Sequence, residues 1–136
     1  MEQKNIIAIV HGRNLDLSLK YAMAVCKMIK GRKVEEAMKR LEAVTRMKRV
    51  VKMGSMERGH KSGKRIMAGG YPVKTAKEFL RLLKQLGANG TAKGKDIEKA
   101  LVYGRADMAS KPFKRDGKKA KRAHVTLELV SKELKK

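Results

Sequence analysis

A chain of 136 residues is one domain of ordinary size, because two separate cores would leave each half too small to fold comfortably without disulfides or metals. Its 35 Lys and Arg against 13 Asp and Glu give a formal net charge of +22, which opposes compaction and calls for a polyanionic partner. The 42% of apolar residues recur with regular periods, which excludes a disordered tail, and two Phe and three Tyr without Trp supply little for a platform that stacks splayed bases.

In chain order, Ile6 to Val10, followed by His11 and Gly12, is a short run suited to a strand. Ser18 is placed to cap a helix whose face is Leu19, Ala22, Met23, Cys26 and Ile29, with Gly31 to end it. A second helix shows Val34, Ala37, Met38, Leu41 and Val44 on one face, with Glu35/Lys39 and Glu36/Arg40 spaced as i,i+4 pairs on the other. Pro72 suits the first turn of a third helix with Val73, Ala76, Leu80 and Leu83 on its face, and Gly87, Asn89 and Gly90 are expected to stop it. Ile97 to Tyr103 reads as an extended stretch, and Val125, Leu127 and Leu129 alternate with polar residues as a half-buried strand.

Two basic excursions interrupt this scaffold. Residues 48–71 hold seven basic side chains, one acid and five glycines, and residues 104–123 hold eight basic side chains and two acids. Each is net +6, so 12 of the 22 charges lie in 44 residues. The simplest topology pairs the last two strands antiparallel and projects the second excursion between them as a finger. If its arms continue as strands of about ten residues, the finger reaches on the order of 30 Å. Neither excursion carries much apolar area to offset the entropy of ordering it. Lys111, Lys114, Arg115, Lys118, Lys119, Lys121 and Arg122 are a polyphosphate-binding set, and His60 among Arg58, Lys61, Lys64 and Arg65 suits phosphate or sugar contact. His124 opens a strand, where a structural role or a phosphate contact fits it.

Several apparent motifs carry no chemistry. Gly59 to Lys64 and Gly90 to Lys95 look like nucleotide phosphate loops, yet each has three residues between its glycines instead of four, and Arg65 and Asp96 stand where a magnesium-binding hydroxyl belongs. His11, His60 and His124 have no catalytic partner at a telling spacing. One cysteine, Cys26, and three scattered His give no metal site and no internal disulfide. No cofactor is expected. The longest apolar run, Ile6 to Val10, falls short of a membrane helix or a signal core, so no membrane association and no export are expected.

Four ordered segments then resemble one family: Ile29 to Leu41, Gly69 to Lys74 (Gly-Gly-Tyr-Pro-Val-Lys), Leu83 to Gly90 ending in Ala-Asn-Gly, and Ala123 to Val130. The chain resembles large-subunit ribosomal protein number twenty-two, called number seventeen in eukaryotes, from about His11 to Val130. The Gly-Gly-Tyr-Pro-Val-Lys element is similar to the archaeal and eukaryotic branch. The resemblance implies an α+β fold, three helices packed on a small three-stranded antiparallel sheet with a long basic β-hairpin extension. It implies a single ribosomal-protein domain over 1–136, with a basic Gly-rich loop insertion at 48–71 and a protruding hairpin finger at 104–123.

It further implies a structural, non-enzymatic, cytoplasmic constituent of the large subunit. The body would sit near the peptide exit tunnel mouth and support assembly, while the hairpin would line the tunnel. The implied partners are large-subunit ribosomal RNA, neighbouring large-subunit ribosomal proteins and the nascent polypeptide. Arg13, Tyr71, Lys74 and His124 join the RNA-binding set on this basis. Lys111, Pro112, Phe113, Lys114, Arg115, Asp116 and Gly117 become the tunnel-lining tip, although Phe113-Lys114 stands where the family usually has Arg-Ala. The competing class is an architectural DNA-binding protein of the chromatin type, which the charge suits equally and the finger does not. An RNA-modifying enzyme would need a glycine fingerprint or an acid, His or Cys constellation that is missing.

Overall fold

A computed structural model describes residues 5–54, 66 and 68–131. The order is β1 (Ile6–Leu15), α1 (Leu19–Ile29), α2 (Val34–Thr45), β2 (Val51–Lys52), β3 (Gly69–Gly70), α3 (Val73–Ala92), β4 (Leu101–Met108) and β5 (Ala123–Val130). The fold is α+β, as expected. β5 lies between β1 and β4 in a three-stranded antiparallel sheet, and β2 and β3 form a separate two-residue ladder.

The alternation along the strands sorts the sheet into two faces. Ala8, Val10, Val102, Val125, Leu127 and Leu129 turn inward and are buried with Val25 and Ile29 of α1, Leu41 and Val44 of α2, and Phe79, Leu82, Leu83 and Leu86 of α3. α1 rests on β4, α3 rests on β1, and α2 packs on α3. The register rows Ile9/Glu128/Tyr103 and His11/Thr126/Arg105 lie on the opposite face. α1 reaches β4 because Gly104 has no side chain: a Cβ there would stand 2.8 Å from Leu127 Cδ2 and 3.3 Å from Cys26 Sγ.

Helices one and two form where the apolar period places them. Ser18 is the N-cap of α1, and Gly31, at φ +71°, follows its end and donates its N–H to the Val102 carbonyl at 2.9 Å. Glu36 accepts hydrogen bonds from both Arg32 and Arg40, whereas Glu35 and Lys39 form no ion pair.

Four expectations need correction. α3 runs through Gly87, Asn89 and Gly90 to Ala92. Gly90 is buried, and a Cβ on it would lie 3.2 Å from Ile97 and Leu129, so close packing outweighs the roughly 1 kcal/mol of poor helix propensity. β1 continues past His11 and Gly12 to Leu15, because β5 supplies a partner for the whole length through an irregular register between Gly12 and Leu15. The strand read at Ile97 to Tyr103 lies at Leu101–Met108, where β5 pairs it residue for residue.

The finger is the fourth. Its arms do not continue as strands of ten residues: the ladder ends at Met108↔Ala123, and beyond it only an isolated bridge joins Phe113 to Lys119. Residues 104–108 therefore belong to the body's sheet, and the segment between Met108 and Ala123 is a loop. The ends of the first basic excursion are held together by the Val51↔Gly70 and Lys52↔Gly69 pairs.

Candidate nucleic-acid interface

The tip closes on itself by local bonds. The Ala120 N–H donates to the Pro112 carbonyl at 2.8 Å, the Lys114 N–H donates to the Lys118 carbonyl, and a short 3-10 turn spans Arg115–Gly117. The chain reverses there because Asp116 and Gly117 adopt left-handed backbone angles, φ +62° and +72°, the second at no steric cost to glycine. Lys119 Nζ stands 5.2 Å from the centroid of the Phe113 ring, which is 76% exposed. Lys111, Lys114, Arg115, Lys118, Lys119 and Lys121 are all exposed. A compact, strongly cationic tip results, with Ala109 and Ala120 buried beneath it.

The root is held by one carboxylate. Asp16, in the β1–α1 turn, accepts a hydrogen bond from Arg122 Nη1 on Oδ1 at 2.8 Å and another from Lys74 Nζ on Oδ2. The hydrogen bond from Lys74 and the charges of Lys74, Arg122 and Lys114 hold the Asp16 carboxyl below its ordinary range. Two cations assigned to RNA, Arg122 from the basic excursion and Lys74 by resemblance, thus brace the root of the finger, and only 24% of the Arg122 side chain is exposed. Asp16 escaped the sequence reading because it pairs across 58 and 106 residues, where spacing carries no signal.

The other expected residues are placed as follows. Arg13 is exposed on β1. His124 is half-buried, and its Nδ1 accepts the Asn14 N–H at 2.9 Å, which supports the β1 backbone where Asn14 takes φ +51°. That bond gives His124 a structural part and leaves its other ring nitrogen for a ligand. Tyr71, Lys74 and Lys121 come together in a cleft of about 350 Å³ beside Ser18 and Thr75. Arg58, His60, Lys61, Lys64 and Arg65 lie outside the described residues. Among the described residues, no cluster of three or more His, Cys, Asp or Glu can hold a metal ion, and no helix is long and apolar enough to cross a membrane.

Residues 10–123 match the model of the family described as Ribosomal protein L22p/L17e. The chain belongs to that family. The match takes in the root cleft, both basic excursions and the tip. Among curated relatives named large ribosomal subunit protein uL22, that of Archaeoglobus fulgidus is 39% identical over 94 residues, 67% of this chain and 61% of the relative. That of Methanocaldococcus jannaschii is 44% identical over 94 residues, 67% of this chain and 60% of the relative. That of Cenarchaeum symbiosum is 38% identical over 94 residues, 68% and 62% respectively. The chain thus matches about three fifths of the length of these relatives. All three are archaeal, in keeping with the branch read from Gly69 to Lys74.

Proposed function

We propose that this chain is a structural, non-enzymatic constituent of the large ribosomal subunit, and so of the cytoplasm, that binds ribosomal RNA and supports subunit assembly. The body sits near the mouth of the peptide exit tunnel, and the finger passes between RNA helices to the tunnel wall, where its tip meets the nascent polypeptide. Neighbouring large-subunit proteins share its surroundings. The observation that carries this reading is the finger, six exposed cations along a loop whose tip closes on itself and whose root is braced to the body, in a chain of the L22p/L17e family.

The mechanism is neutralisation. Each Lys or Arg that approaches a phosphate releases condensed counterions, so RNA helices that repel one another pack around the finger. The braced root sets its direction, and deep RNA grooves are met by shape and charge instead of base reading. Arg58, His60, Lys61, Lys64 and Arg65 add a second basic contact.

Sedimentation of cell extract tests the proposal. The protein is expected to travel with the large subunit and to stay with it through a moderate salt wash. Recovery on chromatin, with none on purified large subunits, would favour the architectural DNA-binding class and overturn it.

A further inference from the structure

We propose that the cleft at the root of the finger is a built binding site for a single phosphate of the RNA backbone. The inference rests on the RNA-binding reading above but assigns a contact separate from the tip.

The cleft is about 350 Å³ and draws on three distant parts of the chain: Ser18 at the start of α1, Val73 to Thr75 at the start of α3, and Lys121 at the finger root. Both helices begin without a side-chain cap, and neither has an acid in its first turn. The Val73 N–H donates to the Tyr71 carbonyl at 2.9 Å; the other first-turn N–H groups have no intrahelical acceptor, and the positive ends of two helix dipoles meet at one place. An oxyanion answers both needs.

A second observation is independent of the helix ends. Thr75 is 2% exposed and lines the cleft, yet its hydroxyl makes no hydrogen bond with any described residue. The hydroxyl is not among the sealed side-chain atoms that lack a partner, so its oxygen keeps an opening, and the space that Thr75 lines is the cleft. Thr45 and Thr91, by contrast, each donate to the carbonyl four residues back. Thr75 keeps its hydroxyl for something that enters the cleft.

The one acid in the lining, Asp16, does not oppose an anion. Its two oxygens are taken by Lys74 and Arg122, and Lys121 adds a charge that no carboxylate answers among the described residues. The cleft is cationic on balance. Exposed Tyr71 at its rim supplies a phenol within reach of a sugar or phosphate oxygen.

The test uses the full chain and inorganic phosphate, followed by amide nuclear magnetic resonance. Saturable shifts are expected at Leu19, Lys20, Lys74 and Thr75, with affinity about tenfold lower in Thr75→Val, the loss of one hydrogen bond to a charged group. Lys121→Ala, at an exposed position, weakens binding as well and guards against a folding defect in the buried variant. Lys39→Ala, at an exposed position of α2 that does not line the cleft, should bind as the wild type does. Non-saturable shifts spread over all lysines, or wild-type affinity in both Thr75→Val and Lys121→Ala, would overturn the site. A second arm uses phosphorothioate-substituted large-subunit RNA: one nucleotide of the wild-type interference pattern is expected to drop out with Lys121→Ala, while those contacted by the tip remain. Interference unchanged by Lys121→Ala would also count against the site. Failure of the chain to bind any large-subunit RNA would overturn the RNA source, while the phosphate titration would still decide the pocket.

Discussion

Arg122 at the root of the finger donates to Asp16 across 106 residues of chain, at 2.8 Å, and the same carboxylate receives Lys74 from the start of α3. A single acid therefore ties the β1–α1 turn, α3 and the finger together. Asp16→Asn is expected to raise the mobility of residues 121–123 without unfolding the body, as read by the heteronuclear Overhauser effect on their amides. Because the folded carboxyl titrates below its ordinary range, the brace is complete above that range and is lost as pH falls through the folded value. Acidifying the wild type should reproduce the Asn variant's finger dynamics, and a finger equally rigid in both would show that Asp16 does not hold it.

Core and interface should separate under mutation. Leu83 and Leu127 are fully buried, so replacing either with Ala costs about 2 to 5 kcal/mol and lowers the melting temperature. Lys118→Ala, at an exposed position, should leave melting unchanged and weaken RNA binding. Equal thermal losses in the two kinds of variant would mean that the tip is part of the core.

Salt dependence distinguishes free cations from braced ones. Removing Lys118 or Lys111 should lower the slope of log affinity against log salt by up to about one unit, with little change in sequence preference. Arg122→Ala also disturbs the root, so its affinity loss should persist at high salt, where the loss from Lys118→Ala has faded. Titrations at several salt concentrations measure both.

Cys26 provides a probe of the fold. Burial, aided by the charge of Asp107, pushes its thiol from 9.0 up to about 12. The unfolded thiol then releases its proton first as pH rises, so this group leaves stability unchanged below pH 9 and reduces it between 9 and 12. Cys26→Ala should make the alkaline loss of stability less steep. At neutral pH, thiol reagents should label the native chain only as fast as it opens.

The helical faces, the α+β class and the cationic finger were legible because each is written in local period or composition. Gly90 was misread because its packing partners, Ile97 and Leu129, come from later in the chain. The end of the hairpin ladder at Met108↔Ala123 was hidden for a similar reason: basic residues pair as readily in a strand as in a loop, and the closing bonds of the tip depend on left-handed Asp116 and Gly117. Lys74 and Arg122 were recognised as cations, but their shared partner Asp16 was not, since a lone acid in a turn carries no pattern. Thr75 gave no signal until Lys121 was found beside it.

The pairing of Val51 with Gly70 and Lys52 with Gly69, extended by the Met53 N–H on the Ala68 carbonyl at 2.9 Å, works as a clasp at the neck of the first basic excursion. Met53 and Ala68 are held side by side, the latter a few residues before the start of α3. The body is thereby insulated from the size of what the clasp encloses, and doubling that length adds only about 0.6 kcal/mol of closure entropy. This neck is where the fold can take on or shed sequence while its core stays as it is.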